Sequence, residues 1–254
     1  MYVRYFIRFG YAGYRFTGFQ RGNGDRSIED SIISTLRKNN MGSDIQCAAR
    51  TDRGVSALGN VFAIDTDAPP SRVIGILNSG CRDIFFTAYS PVSEEANPRH
   101  CLRKTYSYYL RDIADISLLS EQVQIFRGTH NFKEFSRADA RNPVRTIERI
   151  CVEKVSEREV SVNFTARSFI WMQIRNIIGF SLESLSMGRV RDPFNEEGWG
   201  RKPASPLSLI LRNIEYDGIH FTEKPSRSLE RHYRNEAALQ WATSRVTDEI
   251  ASFL

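Results

Sequence analysis

One aspartate stands between two arginines and shortly before a glycine in the stretch AARTDRGVSALGN, residues 48–60. Asp52 lies two positions after Arg50 and two positions before Gly54. Asp–x–Gly is a common loop signal, so Asp52 could be an ordinary turn residue. It could equally be a carboxylate directed into a cleft, where it would serve as a nucleophile or a base. The stretch alone leaves both interpretations open.

A second residue with chemical potential is an arginine in an apolar stretch. FIWMQIRNIIGF predicts a helix, and it places Arg175 among Ile174, Ile177 and Ile178, with Trp171 one turn earlier. An unpaired charge inside such a helix is very costly. The side chain either lies along the surface with its guanidinium in water, or it turns inward and holds a carboxylate or phosphate.

Hydrophobic periodicity indicates the elements that must position these two residues. Residues 2–9 alternate, which predicts a strand with Val3, Ile7 and Phe9 on an apolar inner face and with Phe6 on an aromatic–basic outer face. The first part of the chain is predicted to contain a strand at 2–9, a helix from 28 to about 39, a strand at 61–65 and a short helix at 71–78. The second part is predicted to contain a strand at 104–110, a hairpin of 146–155 and 159–166, an apolar helix from about 169 to 187, and a helix from 226 onward.

A polar segment with two prolines, PVSEEANPR at residues 91–99, is the best candidate for a junction between two halves. We therefore expect an N-terminal α+β subdomain over residues 1–95, which carries Asp52. A C-terminal α+β subdomain with a C-terminal helix would occupy residues 96–254.

Composition excludes several classes of protein. The net charge of +5 over 254 residues favours a polyanionic partner, and no stretch has the apolar length of a membrane span. Arg4 and Arg8 interrupt the N-terminus where a signal peptide needs an apolar run, so we expect a cytoplasmic protein. The four cysteines and four histidines lack the spacing of zinc ligands, so neither a metal site nor a disulfide is expected.

Five segments then carry a resemblance to one family. ARTDRGVSA resembles the Arg-Thr-Asp-x-Gly-Val signature of the tRNA pseudouridine synthase A family. FGYAGYRFTGFQR, RKTYSYYL, THNFKEFS and QIRNIIG are similar to its other motifs, in the same order, between residue 5 and about residue 216. Ala49, Arg53 and Ser56 depart from the bacterial form of the signature, and Arg53 and Ser56 make it more similar to archaeal and eukaryotic members. Residues after about 217 match no motif of the family.

The resemblance implies an isomerase that cuts the N-glycosidic bond of a uridine and rejoins the uracil through C5, without a cofactor. It implies that Asp52 is the catalytic carboxylate and that Arg175 orients it, within about 4 Å between heavy atoms. Tyr106 would stack on the target base and help to remove the C5 proton. Arg50 would take the place of the flipped nucleotide or contact its backbone. Leu207 and Leu209 would close the pocket, although either could equally be strand core.

The implied fold is α+β, with two RRM- or ferredoxin-like sheet-based subdomains around a central catalytic cleft, the pseudouridine synthase fold. The implied partner is tRNA, modified in its anticodon stem-loop and held by a homodimer, with no membrane and no small-molecule cofactor. Basic residues interleaved with aromatic residues near the cleft strands are candidates for phosphate contacts: Arg15, Arg21, Arg99, Arg103 and Lys104. Two alternatives stay open, a related synthase with a wider range of RNA targets and a non-catalytic RNA-binding protein on the same scaffold.

Overall fold

The computed structural model describes residues 2–22, 26–42, 44–137, 142–195 and 202–253. Its strands are β1 (Val3–Tyr11), β2 (Gln46–Cys47), β3 (Ser56–Thr66), β4 (Ile84–Val92), β5 (Arg103–Arg111), β6 (Gly128–Asn131), β7 (Val144–Ile147), β8 (Arg149–Lys154), β9 (Glu159–Ala166), β10 (Leu209–Glu215) and β11 (Thr222–Glu223). Its α-helices are α1 (Ile28–Lys38), α2 (Pro70–Gly80), α3 (Ile116–Gln124), α4 (Gln173–Ser186) and α5 (Arg227–Phe253). The predicted α+β class is confirmed.

A single nine-stranded sheet joins the two parts of the chain. Its main path runs β11-β4-β1-β3-β10-β5-β9-β8, and β2 pairs with β3 beside that path. The late strand β10 lies at the centre, parallel to β3 and antiparallel to β5. Strands β6 and β7 form a separate hairpin. The start of β10 is therefore beside the start of β3, directly after the segment that contains Asp52.

Most strands follow their hydrophobic alternation. In β9 the residues Val160, Val162, Phe164 and Ala166 are all buried, and the predicted hairpin with β8 is present in antiparallel register. In β1 the predicted outer face is wrong at Phe6, which is 1% exposed. Its ring packs on Tyr216, with 5.1 Å between centroids, so a C-terminal segment covers this face of the strand.

The four predicted helices are present as α1, α2, α4 and α5, with a shifted start in α4. Ser27 caps α1 through its side chain, which accepts a hydrogen bond from the Asp30 amide. The negative charges of Glu29 and Asp30 lie in the first turn, where they interact favourably with the positive end of the helix dipole. Helix α4 begins at Gln173 rather than near residue 169, because residues 170–172 form a turn that ends with Met172 in the left-handed region. This shift places Arg175 in the first turn of the helix.

Two buried clusters lie along the sheet. One contains residues of β1, β3, β4, α1 and α2, and the other contains residues of β5, β8, β9, α3 and α4. Leu211 of β10 belongs to the first cluster, Leu209 of β10 to the second, and the ring of Tyr106 packs against both. The division into subdomains at residues 95 and 96 stays a prediction.

Strand β4 and helix α3 have no counterpart among the predicted elements, and β4 extends to Val92, inside the segment taken as a junction.

Helix α5 confirms the predicted C-terminal helix, and it packs against the body where Tyr233 meets Phe85, with 5.3 Å between ring centroids. None of the helices in the described ranges is long and apolar enough to cross a membrane.

Candidate active site

A cleft of about 1250 Å³ lies beside the paired starts of β3 and β10. Its walls come from the loop after β1, from residues 47–55, from β5, from residues 168–175 and from residues 205–209. These five segments are separated by long stretches of sequence, and the central sheet brings them together. The volume exceeds that of an ordinary small-molecule pocket, as a macromolecular substrate would require.

Segment 48–55 is held by hydrogen bonds to partners that lie outside the segment. The carbonyl of Ala49 accepts from Asn60 Nδ2 at 2.9 Å, and the Thr51 hydroxyl is bonded to the Tyr11 hydroxyl at 2.8 Å. The Thr51 carbonyl accepts from the amide of Phe19 at 3.1 Å. Because these partners lie on β3, on β1 and in the loop after β1, the segment is held from three sides.

Asp52 forms a turn and also directs its carboxylate into the cleft, so both interpretations of the sequence hold. Its carbonyl accepts from the amide of Val55 at 3.1 Å, with Gly54 at φ +88° in the third position of the turn. A positive φ at this position favours glycine strongly. A Cβ on Gly54 would also lie 3.1 Å from Cγ of Pro206, so the turn packs closely against the segment 205–209 that also lines the cleft.

The Asp52 carboxylate is held at both oxygens. Oδ2 lies 3.3 Å from NH1 of Arg175, and Oδ1 accepts from Nε1 of Trp171 at 2.8 Å. The predicted contact between Asp52 and Arg175 is therefore present. The side chains of Asp52 and Arg175 are 28% and 13% exposed, so the pair is open to the cleft on the Asp52 side.

Arg175 turns inward, which decides between the two orientations that its sequence left open. Its Nε donates to the carbonyl of Ala204 at 2.8 Å, and its own carbonyl accepts from the amide of Ala204 at 2.9 Å. The segment before Pro206 thus lies along α4. Gly179 permits this approach, because a Cβ there would be 2.0 Å from the carbonyl oxygen of Lys202.

Tyr106 lines the cleft from β5, and its ring packs edge-on against Phe169 with 5.3 Å between centroids. Burial raises the pKa of the Tyr106 hydroxyl, and the nearby Asp52 carboxylate raises it further. The hydroxyl is therefore neutral at physiological pH and available as a hydrogen-bond donor.

The structure brings together seven of the nine residues predicted for the site and leaves two outside the cleft. Asp52, Tyr106, Arg175, Arg50, Arg99, Leu207 and Leu209 line it. Leu207 is 62% exposed, whereas Leu209 is buried in the core as well as lining the wall. Arg15 instead pairs with Asp83, 2.9 Å between NH1 and Oδ1, and with Glu236 of α5. Arg103 lies 3.4 Å from Glu215.

Three cleft residues have roles that the sequence did not reveal. Trp171 was visible one turn before Arg175, but nothing in the pattern linked its indole to Asp52. Arg137 places its guanidinium 4.7 Å from the centroid of that indole. Lys104, expected near phosphate, instead donates from Nζ to the carbonyl of Ala48 at 2.6 Å, and burial lowers its pKa.

The charge of the cleft is strongly positive. Its lining residues include one acid, Asp52, among those that the structure describes, and the basic residues Arg50, Arg53, Arg99, Lys104, Arg137, Arg145 and Arg175. The surplus of basic over acidic residues that line the cleft exceeds the net charge of +5 of the whole chain. The rest of the molecule is therefore close to neutral. Within the described ranges no three His, Cys, Asp or Glu side chains form a cluster that could hold a metal ion.

Comparison with known proteins gives consistent results. A family model described as tRNA pseudouridine synthase matches residues 123–217. The tRNA pseudouridine synthase A of Thermoplasma acidophilum is 44% identical over 92% of this chain and 92% of its own length. Those of Thermoplasma volcanium and Pyrococcus abyssi are 43% and 36% identical, over 85% and 94% of this chain and 87% and 98% of theirs. The chain belongs to the tRNA pseudouridine synthase A family.

Membership of the tRNA pseudouridine synthase A family confirms the resemblance read from the five motifs and the pseudouridine synthase fold that it implies. The family model includes Trp171, Arg175, Leu207 and Leu209. The part of the chain outside the alignment with the Thermoplasma acidophilum relative is too short to include Asp52. Both sides of the Asp52–Arg175 contact therefore lie within regions of similarity to the family.

Proposed function

We propose that this protein is a tRNA pseudouridine synthase, an isomerase that converts uridine to pseudouridine within tRNA. The observation that carries the proposal is the Asp52 carboxylate, held by Arg175 and Trp171 in an otherwise basic cleft. A carboxylate in such a cleft weakens the attraction of a polyanion, so binding alone would not favour it. A chemical role for Asp52 explains its presence there.

The reaction is redox-neutral and requires no group donor. The bond between C1′ and N1 breaks, a bond between C1′ and C5 forms, C5 loses a proton and N1 gains one. Asp52 starts this sequence either by adding covalently to the substrate or by removing a proton from the sugar, and both routes require a free lone pair on the carboxylate. The hydrogen bonds from Arg175 and Trp171 fix the orientation of that carboxylate.

The other cleft residues receive roles from their positions. Tyr106 stacks on the uracil, and its neutral hydroxyl takes part in proton transfer at C5. Arg50, exposed beside the turn, occupies the space that the extruded nucleotide leaves or contacts its backbone. Extrusion is necessary because the glycosidic bond of a stacked base is not accessible. Leu207 and Leu209 provide apolar side chains to the cleft wall, and Leu207 faces Gly54 in the turn.

The target lies in the anticodon stem-loop of tRNA, as the family resemblance implies, and the enzyme acts as a homodimer in the cytoplasm, where tRNA is present. The specific alternative is a wider set of RNA targets, which the archaeal- and eukaryotic-like signature favours. Mapping pseudouridines in tRNA from cells with and without the protein distinguishes these two ranges.

Release of hydrogen from C5 of labelled uridine in a tRNA transcript tests the catalytic role of Asp52. Asp52→Asn, which preserves the shape of the side chain but removes its charge, should abolish turnover and leave tRNA affinity within a few-fold. The matched control is Asp67→Asn, the same change at an exposed aspartate away from the cleft, which should retain full activity. Substantial turnover by Asp52→Asn would rule out its catalytic role, and an inactive native protein that binds tRNA would favour the RNA-binding alternative.

A further inference from the structure

Trp171 is 40% exposed in the cleft and makes a direct contact with the carboxylate of Asp52. A tryptophan in a groove that binds RNA would ordinarily be read as a stacking platform for a base. Here its single polar atom is used otherwise, since Nε1 donates to Oδ1 of Asp52 at 2.8 Å. The indole N–H can donate a hydrogen bond but cannot accept one, so its partner must be an acceptor such as a carboxylate.

The contact complements that of Arg175 instead of duplicating it. Arg175 approaches Oδ2 and Trp171 approaches Oδ1, so each oxygen of Asp52 has one donor. A donor at one oxygen alone leaves the carboxylate able to rotate about its Cβ–Cγ bond, whereas donors at both oxygens fix its plane. Each oxygen keeps a further lone pair for the substrate.

The indole is held in place without the help of Asp52. The amide of Arg137 donates to the carbonyl of Trp171 at 3.2 Å, and the Arg137 guanidinium lies 4.7 Å from the ring centroid. The next residue, Met172, has φ +65°, a conformation that is unfavourable for a residue with a side chain. Its carbonyl accepts from the amide of Asn176, so the first turn of α4 maintains this backbone.

We propose that Trp171 is a positioning residue for the catalytic carboxylate: its indole N–H fixes the plane of Asp52, while Arg137 covers the face of the ring. This inference rests on the proposed function, because it assigns Trp171 to the same reaction. In this proposal the edge of the indole, with its N–H, acts on Asp52. Stacking on RNA would instead use the face of the indole.

Three substitutions at this one position test the inference, with tRNA affinity and the single-turnover rate at saturating tRNA measured for each. Trp171→Phe keeps an aromatic face and loses the donor, so the rate should fall by about 10- to 100-fold, the range for a lost hydrogen bond to a charged group, with affinity within about twofold. Trp171→His restores an N–H and should recover part of that rate. Trp171→Ala should be at least as slow as Trp171→Phe.

The results that overturn the inference are equally specific. A native rate for Trp171→Phe, together with weakened affinity for Trp171→Ala, would make the ring a stacking platform. Native values for both variants would leave Trp171 without a role. Thermal unfolding identifies any variant that fails to fold, and Trp171→His then decides the question: histidine and phenylalanine both offer an aromatic face, so only the donor hypothesis predicts that Trp171→His exceeds Trp171→Phe in rate. Failure of the proposed function itself would appear differently, as an inactive native protein.

Discussion

At the scale of single residues, the site depends on contacts between residues that are far apart in sequence. Asp52 receives its two hydrogen bonds from Trp171 and Arg175, which lie 119 and 123 positions further along the chain. A turn at one end and a helix start at the other bring them together. The position of each side chain therefore depends on how its own segment is held, and Tyr106 lies on β5, an inner strand that pairs with both β10 and β9.

Tyr106→Phe should lower the single-turnover rate while leaving tRNA affinity little changed. The ring that packs on Phe169 and faces the cleft remains, so stacking on a base survives. Only the hydroxyl is lost, and its raised pKa keeps it neutral and able to donate or relay a proton at neutral pH. Rapid-quench measurement of C5 hydrogen release, alongside tRNA affinity, provides the check.

The matched control for this change is Tyr109→Phe, on the same strand but outside the cleft, which should behave as the native enzyme. If Tyr106→Phe instead retained the native rate, the hydroxyl would have no part in proton transfer. The role of Tyr106 would then be confined to stacking and packing.

At the scale of elements, local sequence signals such as helix caps and alternating apolar residues located several helices and strands. The Ser27 cap and apolar stripe located α1, and strict alternation located β5 and β9. Strand β4 was not among the predicted elements, although Ile84, Phe86 and Ala88 alternate and are buried as residues of a strand are. Its backbone is nevertheless paired with β1, including Tyr5 opposite Pro91. The alternation at the start of β4 was therefore present in the sequence, whereas the pairing of its end at Pro91 depends on β1.

The candidate site divides in the same way. The motifs gave the identities of Asp52, Tyr106 and Arg175, and the apolar surroundings of Arg175 indicated that it needed a partner. The role of Trp171 could not be predicted, because it depends on where α4 begins, and Met172 in the left-handed region moves that start four residues past the predicted one. Lys104 was misjudged for a related reason, since only the tertiary structure places its ammonium against the carbonyl of Ala48.

Lys104→Met should destabilise the protein and slow catalysis without changing the salt dependence of tRNA binding. The substitution keeps the apolar stem but removes the donor that ties the Asp52 segment to β5, leaving the carbonyl of Ala48 without its Lys104 partner. A buried group that loses its hydrogen bond costs about 1–3 kcal/mol of unfolding free energy. Denaturant unfolding and single-turnover rates measure the two effects.

Arg103→Met is the neighbouring control, because Arg103 is about half exposed and its contact with Glu215 is a surface pair. Its effect on unfolding free energy should stay within about 0.5 kcal/mol. If Lys104→Met left stability unchanged and lowered the salt slope of binding by about one unit, Lys104 would be a phosphate contact after all.

At the scale of the whole molecule, charge is concentrated where the substrate must lie. The cleft gathers the surplus of basic side chains, while two arginines predicted for the same role lie elsewhere. Arg15 is paired with Asp83, whose side chain is 4% exposed, and with Glu236 from α5. Arg99 is exposed in the cleft, and no ion pair involves it in the part of the chain that the structure describes. The C-terminal helix thus restricts which arginines are available to phosphate.

These positions order the three arginines by their expected effect on tRNA binding. Arg99→Gln should weaken binding and reduce the slope of log K against log salt by about one unit, the signature of one lost phosphate contact. Arg103→Gln should have a smaller effect, because Glu215 partly neutralises it. Arg15→Gln should leave the slope unchanged, since Arg15 would have to leave a buried carboxylate to reach RNA. Affinity measured across a salt series for these variants, with Arg111→Gln as an exposed control outside the cleft, gives the comparison. An Arg15→Gln slope equal to that of Arg99→Gln would show that α5 releases Arg15 when tRNA binds.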